Sequence, residues 1–133
     1  MSIIVNEPGY KKCTINDIEI NGLTIFNKKL FHNDKVKYTD KEIILEQSNR
    51  SNFLIGGVLK LNNSVQYTSK NKKPIYEFIP LNWRYPKFLV PSDIKNNCIK
   101  RNESITDYFV VIQFKDWSEK YPSGSIYRSI GPT

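Results

Sequence analysis

Trp83, Arg84 and Tyr85 stand consecutively between Pro80 and Pro86, with Lys87 and Phe88 immediately after. Guanidinium and ammonium groups neutralise phosphates and flat rings stack on bases, so this grouping has the chemistry of a single-stranded nucleic-acid contact. It lies within a longer basic stretch. There Lys60, Lys70, Lys72, Lys73, Arg84, Lys87, Lys95, Lys100 and Arg101 stand against only Glu77 and Asp93. Basic and acidic residues are equal in number elsewhere, so the whole formal charge of +7 arises between Lys60 and Arg101. Tyr67, Tyr76, Phe78, Trp83, Tyr85 and Phe88 are threaded among these cations. The residues expected to touch a nucleic acid are Tyr67, Lys70, Lys72, Lys73, Trp83, Arg84, Tyr85, Lys87 and Arg101. The same pattern also fits a solvated basic face above an ordinary aromatic core. Phe78, Phe109 and Phe114 lie in apolar runs and are expected in that core, and Trp117 is expected to pack.

Other chemistries find little support. Hydrolysis or phosphoryl transfer needs converging carboxylates, a nucleophile with its base, or metal ligands. The carboxylates here are dispersed; Asp17 and Glu19, two apart, are expected to share a solvated strand face. Gly56-Gly57 lacks the lysine-serine pair of a phosphate-cradling loop, and Ser123 between Pro122 and Gly124 reads as a turn. Two cysteines, Cys13 and Cys98, and the single His32 cannot assemble a zinc quartet. No catalytic residue, metal or cofactor is therefore expected. No window approaches the ~18 apolar residues of a membrane span, and the N-terminus has no basic start or apolar core of a leader. The expected setting is intracellular, cytoplasmic or nuclear, with no membrane partner.

These residues must be positioned by strands. Cys13–Ile20, Lys35–Leu45, Phe53–Leu61, Pro74–Leu81, Lys87–Val90, Tyr108–Phe114 and Ser125–Ile130 are rich in β-branched and aromatic residues. Ile18 and Ile20 alternate with Asp17 and Glu19, the period of a half-buried strand. Asn21-Gly22, Asn62-Asn63 and Tyr121-Pro122-Ser123-Gly124 have turn chemistry. Pro80, Pro86 and Pro91 exclude a helix across that span, and no helix longer than two turns is expected anywhere. Glycine within a strand permits the sharp bend a barrel requires, which is the reading of Gly56-Gly57. The polar run Gln47–Asn52 separates an N-terminal β segment, 1–50, from a barrel at 51–133. A chain of 133 residues with 39% hydrophobic residues can bury an adequate core without cross-links.

The run Phe78-Ile79-Pro80-Leu81-Asn82-Trp83-Arg84-Tyr85-Pro86-Lys87-Phe88-Leu89-Val90 resembles the second cold-shock domain of ribonuclease II/ribonuclease R exoribonucleases, in particular the eukaryotic exosome-ribonuclease branch. That family has a Pro-x-Asp-x-Arg-x-Pro core there, followed by alternating apolar residues. Val110 to Trp117, Tyr121-Pro122-Ser123-Gly124 and Ile130-Gly131 are similar to the domain's last strand and exit. Asp17 to Gly22 and Asn27 to Val36 are similar to the close of the first cold-shock domain. Asn82 replaces the family's aspartate, Lys28-Lys29 its Arg-Ala pair and Asn33 its glycine. The first domain's opening strands have no counterpart.

The resemblance implies an all-β chain: an OB-fold, cold-shock-type small barrel with an additional N-terminal β segment, a partial first cold-shock unit. In the family a magnesium-dependent domain with four catalytic aspartates would follow Gly131, where this sequence continues only with Pro132 and Thr133. The expected function is thus a non-catalytic module for single-stranded RNA, or alternatively single-stranded DNA, with Arg84 and Lys87 near the strand. The second reading is a protein–protein interaction module derived from such a domain.

Overall fold

The structure, a computed structural model, describes residues 2–39, 42–47, 53–61, 67–68 and 74–133. The chain divides into two compact units, one of residues 1–51 with 82–86, the other of residues 52–81 with 87–133.

In the first unit, β1 (Ile3–Val5), β2 (Cys13–Ile15) and β3 (Ile18–Ile20) form an antiparallel sheet in that order. The sequence reads Cys13 to Ile20 as one strand, but the structure folds it into a hairpin with Ile15 opposite Ile18. Asn16 and Asp17 both take positive φ, 51° and 63°, the backbone of a tight two-residue turn that their short polar side chains tolerate. Asp17 is therefore in the turn rather than beside Glu19 on a strand, and Ile18 is exposed rather than half-buried. Asn21-Gly22 also differs from its expected turn: Asn21 caps helix α1 (Gly22–Asn27), its Oδ1 accepting the Leu23 N–H at 2.9 Å. A Cβ on Gly22 would collide with the Tyr10 carbonyl, so the helix begins where only glycine fits. β4 (Lys35–Thr39) and β5 (Glu42–Gln47) form a second hairpin. Ile3, Val5, Tyr10, Cys13, Ile15, Ile25, Leu30, Val36 and Ile43 make the core, and the Tyr10 hydroxyl donates to the Leu30 carbonyl at 2.8 Å. Burial pushes the Cys13 thiol up to about 11, so it packs as a small apolar group.

The second unit contains β6 (Leu54–Leu59), β7 (Tyr67–Thr68), β8 (Pro74–Pro80), β9 (Phe88–Pro91), helix α2 (Ile94–Lys100), β10 (Tyr108–Asp116) and β11 (Ser123–Pro132). β6 pairs with β8, β8 with β9, β9 with β11, β11 with β10, and β10 returns to β6. These five strands close a ring, antiparallel except at β9–β11, which makes an all-β barrel of the OB, cold-shock type. Alternation sends Ile55, Leu59, Phe78, Phe88, Val90, Val110 and Ile112 inward. Phe109, expected in the core, instead falls on the outward phase of β10 beside buried Val110 and is 37% exposed. Trp117 is buried, as its position after the strand implied. α2, absent from the sequence reading, occupies the β9–β10 connection; the Ser92 hydroxyl accepts the Ile94 N–H at 3.0 Å, and Cys98 is buried. Both helices are shorter than two turns.

Gly57 allows the ring to close. It is paired with Pro80 on one side and Val110 on the other. A Cβ there would strike the Ile79 carbonyl and come within 2.7 Å of Phe78 Cζ and 2.9 Å of Pro80 Cα, whereas a Cβ on Gly56 meets open space. Gly57→Ala is therefore expected to cost about 1–3 kcal/mol in urea unfolding, and Gly56→Ala to remain within about 0.5 kcal/mol of the parent. Equal midpoints for the two variants would contradict this account.

Candidate nucleic-acid interface

On the barrel, the outward phase of three adjacent strands forms a wall. Ile75 lies beside Pro91, Glu77 beside Leu89, and Leu89 beside Ser123 across the parallel join. The β10–β11 connection, residues 117–122, rises beside it. Its course is set by Trp117, whose buried indole donates to the Lys120 carbonyl at 3.2 Å. The Ser118 hydroxyl donates to Asp116 Oδ2 at 2.8 Å, and the Ser123 hydroxyl to the Asp116 carbonyl at 3.1 Å. Wall and connection enclose an open groove of about 370 Å³ lined by Ile75, Leu89, Pro91 and Tyr121 with Lys115, Asp116, Ser118, Glu119 and the β11 segment 123–125.

Cations meet an aromatic ring at this groove. The Lys87 ammonium lies 4.6 Å from the Tyr121 ring centre and the Lys120 ammonium 5.4 Å, within cation–π range. Lys87 also pairs with Glu77 at 3.4 Å. Lys60 pairs with Asp107 at 3.0 Å and Arg101 with Glu103 at 3.0 Å, the latter at an exposed site where an ion pair contributes little. Asp107 and Glu103 lie beyond the basic stretch in sequence, so part of its apparent charge excess is offset in the fold.

Trp83, Arg84 and Tyr85 belong to the first unit. Asn82 shapes their turn: its Oδ1 accepts the Arg84 N–H at 3.1 Å and its carbonyl accepts the Tyr85 N–H at 3.2 Å. Trp83 is 41% exposed, with the Arg84 guanidinium 4.5 Å from its ring centre. Arg84 Nε is buried and has no hydrogen-bond partner among the described residues. Tyr85 is a half-buried packing residue, its ring 5.9 Å from Phe31 and edge-on to His32 at 6.4 Å. Burial, then the charge of Asp34, raises its phenol.

Of the other expected residues, Tyr67 lies on β7, its side chain outside the described set, as are Lys70, Lys72 and Lys73. Arg101 caps α2, while Tyr76, Phe78 and Phe88, the other rings of the stretch, are buried in the barrel. Sequence reading missed Tyr121 and Lys120, which stand beyond the basic stretch; their signal is the Tyr121-Pro122-Ser123-Gly124 turn opening the last barrel strand. Among the described residues, no group of three or more His, Cys, Asp or Glu could hold a metal ion, and no helix is long and apolar enough to cross a membrane.

His32 couples the first unit's stability to pH. Its Nδ1 accepts the Val5 N–H at 3.1 Å, a bond available only to the neutral ring. Burial, then the positive charge of Arg84, lowers its pKa below the ordinary histidine value of about 6.5. Below that pH the unfolded chain takes up the proton first, so stability present above it is lost as pH falls. Denaturant midpoints are expected to drop on acidification from pH about 7 to about 5.5, a drop smaller in His32→Ala. Identical pH profiles for parent and variant would remove this role.

The model of the Dis3-like cold-shock domain 2 matches residues 75–133, which takes in β9, α2, β10, β11 and all but the first residue of β8. Among solved structures, that of yeast Ssd1, a pseudonuclease, aligns with a TM-score of 0.41 and 18% sequence identity. The alignment covers 74% of this chain and 12% of that chain. No curated protein matches the sequence.

Proposed function

We propose that residues 75–133, which match the Dis3-like cold-shock domain 2, are a cold-shock domain of the ribonuclease II/Dis3 family, and that the protein is a non-catalytic module that binds single-stranded RNA. A barrel of this kind serves as a nucleic-acid or protein-interaction module. The observation that favours RNA is the Lys87–Tyr121–Lys120 cluster at the open groove on the outer barrel wall. OB barrels use the face of their second and third strands, flanked by the first and last hairpin-type connections, for oligonucleotides. Here those strands are β8 and β9, and the last connection carries Lys120 and Tyr121. The first connection, between β6 and β8, contains Tyr67, Lys70, Lys72 and Lys73 in sequence. In this reading Tyr121 stacks on a base, and Lys87, Lys120 and the lysines of that connection neutralise phosphates. Trp83 and Arg84 of the first unit, together with Arg101, supply further contacts.

With about four to six phosphates engaged, log affinity should fall against log salt with a slope of about −3 to −4. Fluorescence anisotropy with a labelled RNA of about 16 nucleotides measures this, and a matched DNA strand reports the sugar preference. Tyr121→Ala should weaken binding about 5-fold or more, the loss of one stacked base, with the thermal melt unchanged. Trp83→Ala with Arg84→Ala tests the first unit separately. A flat salt response, or full affinity in both variants, would sink the RNA reading; shortening of the RNA in the presence of magnesium would sink the non-catalytic part.

A specific observation favours the protein-interaction reading as well. The barrel exposes Leu54, Ile79, Phe109, Tyr127 and Ile130, and Ile79, Val58 and Phe109 are lateral neighbours across β8, β6 and β10. A partner captured from lysate that survives nuclease treatment would support it.

A further inference from the structure

The sheet of the first unit does not close. The bridge between Ser2 and Lys35, with the Ile3 N–H donating to the Asp34 carbonyl at 3.0 Å, joins β1 to β4. The strands therefore run in the order β3-β2-β1-β4-β5, and among the described residues β3 and β5 each have a neighbour on one side only. The apolar residues show the same gap. Ile18 lies opposite buried Ile15 and Leu45 opposite buried Val36, so both belong to the face that carries the core. Yet Ile18 is 52% exposed and Leu45 40%.

Of the two edges, β5 is the one with length for a partner. It has six residues, whereas β3 has three and runs straight into the α1 cap at Asn21. Antiparallel pairing turns alternate N–H and C=O groups away from the partner strand. Among the described residues, none of those on β5 is bonded beyond its hairpin with β4. A row of such groups is a template for a further strand.

The strand also sets the chemistry of its occupant. Free backbone groups in a row require an extended segment, and Ile43 and Leu45 on the core phase require apolar side chains at alternate positions. β5 reads Glu42-Ile43-Ile44-Leu45-Glu46-Gln47, two acids and no base, and Glu42 is exposed on the same phase as exposed Ile44. The bases alongside, Lys35 and Lys37, stand on β4, one strand further from the edge. Opposite charges on neighbouring strands attract, so the intervening positions call for lysine or arginine, whose stems would also cover Ile44. A second copy of this chain fits poorly. Centred antiparallel pairing of two β5 strands sets Glu42 opposite Glu46, and in-register parallel pairing sets each acid against its like.

We infer that β5 is a docking edge for an extended segment of another protein, in which apolar residues alternate with lysine or arginine and which adds to the sheet as a further strand. The inference concerns the first unit and stands apart from the RNA reading of the barrel.

Anisotropy titrations of the full chain with three labelled peptides of about eight residues test it. One alternates lysine with valine, the second has glutamate in place of lysine, and the third is the lysine–valine peptide with every backbone nitrogen methylated. The first should bind roughly tenfold more tightly than either control and shift the amide resonances of residues 42–47. In the Glu42→Lys variant its affinity should fall about fivefold. Equal binding of the methylated peptide, which reports charge attraction alone, would overturn the inference, as would shifts lying outside 42–47 or full affinity in the variant. Absence of binding would overturn it too. A concentration-dependent dimer in sedimentation velocity then assigns the edge to a second copy, and slow hydrogen exchange at every residue of 42–47 in the free chain assigns it to another segment of this chain.

Discussion

The barrel depends on one strand being hydrogen-bonded along both edges at the same place. β6 meets β10 through residues 54–59 and meets β8 through residues 57–59, so Gly57 to Leu59 carry partners on both sides. A sheet closes on itself only if some strand bends sharply enough to reach both neighbours, and side-chain bulk at the bend opposes this. At Gly57 the backbone of β8 approaches so closely that a methyl group has no room. Closure in turn aligns β8, β9 and β11 and sets Leu89 beside Ser123, and that wall is the base of the groove.

The groove owes its remaining shape to the β10–β11 connection. Burying Trp117 draws that segment down against the barrel, and the indole donor finds the Lys120 carbonyl. A buried indole N–H without a partner would cost free energy, so this bond and the burial act together. The consequence is a fixed course for residues 118–121, from which Tyr121 lines the groove and Lys120 approaches its ring. Core packing and the shape of the groove are thus joined through one aromatic residue.

Charge behaves differently from shape. The stretch from Lys60 to Arg101 is strongly basic as a string, yet Lys60, Lys87 and Arg101 each meet a carboxylate in the fold. The Arg101–Glu103 pair is exposed and contributes little to stability, while all three pairs reduce the local field available to an anion. The groove itself mixes Lys115 with Asp116 and Glu119.

Much of this was legible in the sequence, because strand alternation and proline placement are local properties. The apolar runs at 53–61, 74–81, 87–90, 108–114 and 125–130 became the five barrel strands within a residue or two at most ends. The glycine pair marked a bend, and Trp117 its own burial. Local patterns misled where two states share one composition. Cys13–Ile20 reads as a single strand until Asn16 and Asp17 take left-handed backbone, and Phe109 looks like core until register assigns it the outer phase. The sequence by itself determined the barrel's elements, their order and where charge is concentrated, since each follows from residues near one another in the chain. Only the tertiary structure decided which aromatic rings are buried, which cations are already paired, and that Tyr121 rather than Tyr76 or Phe88 meets solvent beside lysines. Those outcomes depend on strand register and on partners tens of residues away, and no local pattern encodes them.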